Sequence, residues 1–147
     1  RSAALEAGVA AHADWTIAAQ LNGDFTQAKA YEETIAYLQS SPAPDVVYCE
    51  NDNMCFGVMQ ALDELGIAYG DGGVTLISFD AGRTALSYCK DGKIDLCAEC
   101  NPLHGPRVRA LIEQLARGEA PEKLSYMPEA LFTADTLTAE LLESRVY

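Results

Sequence analysis

Apolar residues along this chain keep two alternating rhythms, short unbroken runs and helical spacings. Val46-Val47-Tyr48-Cys49 is a run rich in β-branched residues and reads as a buried parallel strand. It meets the polar cluster Glu50-Asn51-Asp52, and then Met54, Val58, Leu62 and Leu65 recur at a helical spacing. The Asp52 carboxylate is placed to cap that helix by accepting from the free N–H groups of its first turn. Val74 to Phe79 is the most strand-like run in the chain, and it stops at Asp80-Ala81-Gly82. Thr84 to Lys90 reads as a short helix closed by Gly92 at the C′ position. Asp95 to Glu99 is a further strand, broken by Asn101-Pro102.

The flanks continue the alternation. Ser2 to Ala13 reads as a helix, Trp15 to Gln20 as a strand, and Asn22-Gly23-Asp24 as a turn. Asp24 followed by Gln27 has the form of a capping box. Ala28, Tyr31, Ile35 and Leu38 mark a helix ending near Ser41, where Pro42 and Pro44 forbid its continuation. Pro106 suits a first helical position, and Val108, Leu111, Ile112 and Leu115 form an apolar stripe reaching toward Gly118. Met127 to Phe132 is an extended segment after the linker Glu119 to Lys123, and Ala134 to Ser144 is a last helix. Strands alternating with helices predict an α/β fold, an open parallel sheet with helices on both faces.

Composition narrows the classes. A chain of 147 residues, 49% hydrophobic, suffices for one domain with a real core, and no apolar run nears the length a bilayer requires. The net charge of −12 argues against a nucleic-acid surface and against an acidic membrane. The chain begins at Arg1 with no signal peptide in view, so it is expected to be a piece of a longer protein. Five cysteines cannot all pair within one chain. Cys97 and Cys100 have the spacing of half a zinc site, but no second pair accompanies them. Small buried thiols are the expected role, with no metal and no cofactor.

Polar groups end three of the runs: Glu50-Asn51, Asp80 and Glu99. In a parallel sheet those ends lie on one edge, where open α/β sheets place their ligands. Asn51 donates and accepts, while the carboxylates only accept, a mixture suited to vicinal hydroxyls. Each residue taken alone also suits a cap or a loop anchor. His12 and His104 stand alone and carry little, although His104 lies near Glu99.

Glu50 to Leu62, Ile77 to Gly82, Asp91 to Leu96, Glu99 to Pro106 and Gly23 to Thr26 match, in order along the chain, segments of bacterial sugar-binding proteins of ABC transporters. The chain resembles the C-terminal lobe of these type I periplasmic binding proteins, whose two Rossmann-like lobes hold sugar between them. It is most similar to the ribose- and galactofuranose-binding members. Ser78 stands where the family usually has glycine, and Ala81 separates Asp80 from Gly82. The resemblance implies that Asn51 and Asp80 hydrogen-bond sugar hydroxyls and that Arg1 adds charge-assisted bonds. It places Glu99 where the ribose-binding relative has a ligand-contacting glutamine, and Phe25 where that relative stacks an aromatic ring on the sugar. Phe25 equally suits a hydrophobic staple for the helix after Asp24.

The expected function is capture of a monosaccharide, a pentose, hexose or galactofuranose, and its delivery to an ABC permease at the periplasmic or extracellular face of the membrane, with or without a lipid anchor. Residues 1–99 and 128–147 would form the sugar-binding lobe, and residues 100–127 would pack on an absent N-terminal lobe. Without that lobe the apolar stripe is expected to be covered by folding back or by a second copy of the chain. The alternative is the effector domain of a LacI-type transcription regulator. A glycosidase using Asp80 and Glu99 as acid and base is a third reading, set below the non-enzymatic ones.

Overall fold

The valine-rich run forms β1 (Val46–Cys49), followed along the chain by β2 (Thr75–Asp80), β3 (Leu96–Glu99) and β4 (Leu131–Phe132). The computed structural model describes residues 1–147. The sheet order is β1-β2-β3-β4. β1 and β2 are parallel, with Cys49 opposite Ser78, and β2 and β3 are parallel, with Asp80 opposite Glu99. β4 runs antiparallel to β3, with Phe132 opposite Cys97, so the open sheet is mixed rather than wholly parallel. The connection between β3 and β4 carries α5 and is long enough for a parallel crossover, so its length does not dictate the antiparallel pairing.

Six helices complete the chain: α1 (Ser2–Ala10), α2 (Gln27–Leu38), α3 (Asp52–Leu65), α4 (Arg83–Lys90), α5 (Gly105–Ala116) and α6 (Ala139–Ser144). Strand alternation sends Cys49, Leu76, Ser78, Cys97 and Phe132 to one face, where they meet α3, α4 and Leu137 in the core. Tyr48, Ile77, Phe79 and Leu96 lie half-buried on the other face. α2 rests on α3 at Gly57, where a Cβ would lie 2.2 Å from the Gln27 carbonyl oxygen. Gly92 follows α4 with φ 73°, the left-handed C′ stop expected from the sequence.

Several expectations are corrected. Trp15 to Gln20 joins no strand; it is exposed, and Trp15 stacks on His12 at 4.4 Å instead of entering a core. β1 is therefore a sheet edge, and Val46 is exposed rather than buried. The capping box at Asp24 does not form, because Asp24 and Phe25 adopt left-handed φ of 48° and 54°. The helix starts two residues later, with the Thr26 hydroxyl accepting from the Lys29 amide. Asn51, not Asp52, caps α3. α6 begins at Ala139 rather than Ala134, because Thr133 and Thr136 close a turn first. The apolar stripe on α5 is bare: Val108, Ile112 and Leu115 are exposed, and no segment of the chain folds back over them.

Candidate functional site

The carboxyl ends of β1, β2 and β3 lie on one edge of the sheet, and the loops that leave them form a rim. Asp80, the last residue of β2, stands there 43% exposed. The Arg1 guanidinium donates to Asp80 Oδ1 at 3.1 Å and also to the Glu50 carbonyl oxygen. Its Cζ lies over the Phe79 ring, 4.9 Å from the centroid, and Phe79 packs edge-on against Tyr48. Ser2 Oγ donates to Glu50 Oε1 at 2.6 Å, bringing the start of α1 to the same rim. A charged fork and a carboxylate are thus held side by side within reach of solvent.

Asn51 lies at this edge but is buried and spent mostly on the protein. Its Oδ1 accepts from the Met54 amide at 2.8 Å, and its Nδ2 donates to the Phe25 carbonyl at 3.1 Å. The side-chain amide has a second N–H that these bonds leave over. The bond to Phe25 fixes the loop before α2, so the Phe25 ring, 64% exposed, is presented from a backbone in the left-handed region.

The loop after Asp80 is strained in the same manner. Asp80 and Ala81 have φ of 100° and 57°, both unfavourable for residues with a Cβ. Asp52 holds them there: its carboxylate accepts from Ser78 Oγ at 2.6 Å and from the Gly82 amide at 2.8 Å. Burial pushes the Asp52 carboxyl up, and the bonds from Ser78 and Gly82 oppose that rise.

Glu99 lies opposite Asp80 in the sheet, but its carboxylate turns toward the chain's end. Oε1 accepts from Arg145 at 2.6 Å and from the Tyr147 hydroxyl, while Oε2 accepts from the Ala130 amide at 3.0 Å. Both Glu99 and Arg145 side chains are only 9% exposed. Burial alone would raise the Glu99 carboxyl, but the Tyr147 hydroxyl and the Arg145 guanidinium outweigh it and hold it below the usual carboxylate value. Tyr147 is pushed up to about 12 by burial and by Glu99. A hollow of about 170 Å³ beside this cluster is lined by Glu99, Asn101, Leu103, Arg145 and Tyr147, among others. Its place beside the rim, not its size, gives it interest.

The rim therefore joins Arg1 to Asp80 and Asn51 to Phe25, and sets Glu99 beside them with its acceptors occupied. The tail pair Arg145 and Tyr147 had no signal in the sequence pattern, since its partner is distant along the chain. The Asp52–Ser78 pair left a faint one, a serine on the core face of an otherwise apolar strand. His104 is exposed at the start of α5, and His12 is exposed against Trp15. No cluster of three His, Cys, Asp or Glu side chains has the arrangement to hold a metal ion.

A mostly parallel α/β sheet with polar, strained loops gathered at its carboxyl edge has the form in which open α/β lobes present a binding crevice. The chain belongs to the periplasmic binding protein domain family, which matches residues 1–115. It is 31% identical over 124 residues to the galactofuranose-binding protein YtfQ of Escherichia coli K12, covering 82% of this chain and 39% of that protein. It is 30% identical over 83 residues to the fructose import binding protein FruE of Bifidobacterium longum, 56% of this chain and 24% of that one. A Mycobacterium smegmatis protein solved in complex with β-D-fucofuranose superposes with TM-score 0.83 at 29% identity, over 91% of this chain and 44% of that one. The chain thus spans well under two thirds of the relatives it matches.

Proposed function

We propose that this chain is the C-terminal lobe of a solute-binding protein that captures a monosaccharide in a cleft between two lobes and hands it to an ABC permease. The observation that carries this reading is the exposed Arg1–Asp80 pair on the rim of the sheet. A guanidinium fork and a carboxylate side by side supply donors and acceptors for adjacent hydroxyls. Phe25 offers an apolar face beside them, and Asn51 offers its remaining N–H. Glu99 acts through its neighbours, as an anchor of the rim. The named relatives support a sugar ligand and a role in import, and a furanose heads the expected list. The extracytoplasmic face of the membrane is the place such a role requires, free or lipid-anchored.

Residues 1–99 and 128–147 form the sugar-binding lobe in this reading, and residues 100–127 pack on the absent N-terminal lobe. The bare stripe of α5 supports that division, since an amphipathic helix needs an apolar partner. The protein binds without catalysis. A glycosidase needs a carboxyl that stays protonated to act as acid; Glu99 is pulled the other way by Arg145 and Tyr147, and Asp80 is paired with Arg1. No observation favours the regulator.

The test is calorimetric titration of the full-length protein with a panel of pentoses and hexoses in furanose-rich and pyranose forms. Binding of at least one, weakened about tenfold or more by Asp80→Asn through loss of a charge-assisted bond, is expected. A full-length protein that binds none of the panel, or an Asp80→Asn variant as tight as wild type, overturns the reading.

A further inference from the structure

The fold sorts the five cysteines by place: Cys100 is exposed, while Cys49, Cys55, Cys89 and Cys97 are buried. Cys89 lies in the last turn of α4, and Cys97 lies on the core face of β3, both fully buried. The chain joins them by the tight turn at Asp91-Gly92, so the two elements sit against one another. The Cys97 sulfur reaches into α4, and the Cys89 sulfur reaches β4, the strand paired with β3. Cys97 Sγ lies 3.7 Å from the Ala85 carbonyl oxygen, one helical turn before Cys89. Cys89 Sγ lies 3.5 Å from the Phe132 carbonyl oxygen, and Phe132 is the residue directly opposite Cys97 in the sheet. Each thiol thus points at backbone flanking the other, which sets the two side chains side by side between α4 and β3.

We propose that Cys89 and Cys97 are a disulfide-forming pair, closed by exchange with an external disulfide as the protein folds outside the cytoplasm. This rests on the extracytoplasmic half of the proposed function and not on the sugar. The turn at Asp91-Gly92 keeps the two side chains neighbours from early in folding. Closure draws the two sulfurs to a bond of about 2.05 Å.

The chemistry balances. Cys89 gives its proton to solvent, and its thiolate attacks one sulfur of the external disulfide. That S–S bond breaks, and the first thiolate leaves as a mixed disulfide forms on Cys89. Cys97 passes its proton to the departed thiolate and attacks Cys89 Sγ, expelling the second thiolate, which takes a proton from solvent. Two protein thiols are oxidised and one external disulfide is reduced to two thiols. Once the core closes, the bond is out of reach of exchange, so it is a structural tie. It fixes the end of α4 to β3, two residues before Glu99.

The test uses the full-length protein secreted into an oxidising compartment and purified without reductant. After alkylation under denaturing conditions, trypsin separates Cys89, in the peptide ending at Lys90, from Cys97 and Cys100, in the peptide beginning at Ile94. The expected result is a reducible pair of these peptides that persists in Cys100→Ser, together with a melting temperature several degrees lower after reduction. A Cys89→Ser/Cys97→Ser variant should lose that dependence on reductant. Alkylation of both Cys89 and Cys97 in the unreduced wild type, or linkage of Cys89 to Cys100 instead, overturns the proposal. Failure of the sugar titration leaves the peptide map unchanged, so the two results separate.

Discussion

Glu99 shows how far one side chain's role depends on partners distant in sequence. Its position at the end of a strand, opposite Asp80, was legible from the pattern of runs alone. Its engagement by Arg145 and Tyr147 was not, because nothing local links a strand end to a tail 46 residues later. The pair is buried, so removing one member leaves the other's charge uncompensated. Arg145→Ala is expected to cost about 3 kcal/mol in urea unfolding. The pH dependence follows from the direction of the Glu99 shift. Its carboxyl sits below the ordinary 4.5, so the stability it adds is complete above that value. That stability is lost as pH falls through the lower folded-state value. Wild type should therefore lose stability in acid more steeply than Glu99→Gln, and parallel acid profiles for the two would refute the assignment. Asn51 and Asp52 make a related point. Both are good cap residues at adjacent positions, and only the demand of Ser78 and the Gly82 amide for the Asp52 carboxylate leaves the cap to Asn51. Asn51→Ala should cost about 1 kcal/mol of stability from the lost cap, apart from any effect on ligand.

Elements were legible where periodicity is strong. β1, β2, β3, α3 and α4 fall where apolar runs and helical spacings put them. Trp15 to Gln20 has a loose alternation but no pairing partner, and alternation alone does not make a strand. The two residues of β4 are too few to carry a pattern, and their direction is set by how the chain returns. Gly57 lies in the middle of α3, where intrinsic propensity favours alanine by about 1 kcal/mol. Contact with α2 reverses that preference. A Cβ there would stand 2.2 Å from the Gln27 carbonyl oxygen and 2.9 Å from the Tyr31 amide nitrogen, both backbone atoms that cannot swing aside. Gly57→Ala should therefore destabilise the chain by about 1–3 kcal/mol, the usual range for overpacking. Chemical unfolding monitored by circular dichroism checks the sign: a stabilised variant would mean that α2 moves away at little cost.

At the scale of the molecule, two surfaces face outward with no use inside this chain: the rim of Arg1, Asp80 and Phe25, and the stripe of α5. A rim that holds one side of a sugar loses the contacts of the opposite lobe, and with them most of the affinity. The isolated chain should accordingly bind sugars weakly or not at all, where the full-length protein binds them. The stripe makes an independent test of the same architecture, because it needs no ligand. If residues 100–127 pack on the other lobe, Ile112 is buried in the full-length protein and exposed here, at 59%. Ile112→Glu should then leave the unfolding midpoint of the isolated chain nearly unchanged, and reduce any self-association seen in sedimentation velocity. In the full-length protein the same change places a charge against an apolar surface and removes a buried side chain, a loss of about 2 kcal/mol or more. The contrast between the two contexts is the decisive quantity. An equal, small effect in both would mean that α5 stays in water even when the whole protein is present, and that residues 100–127 belong to no interface between lobes.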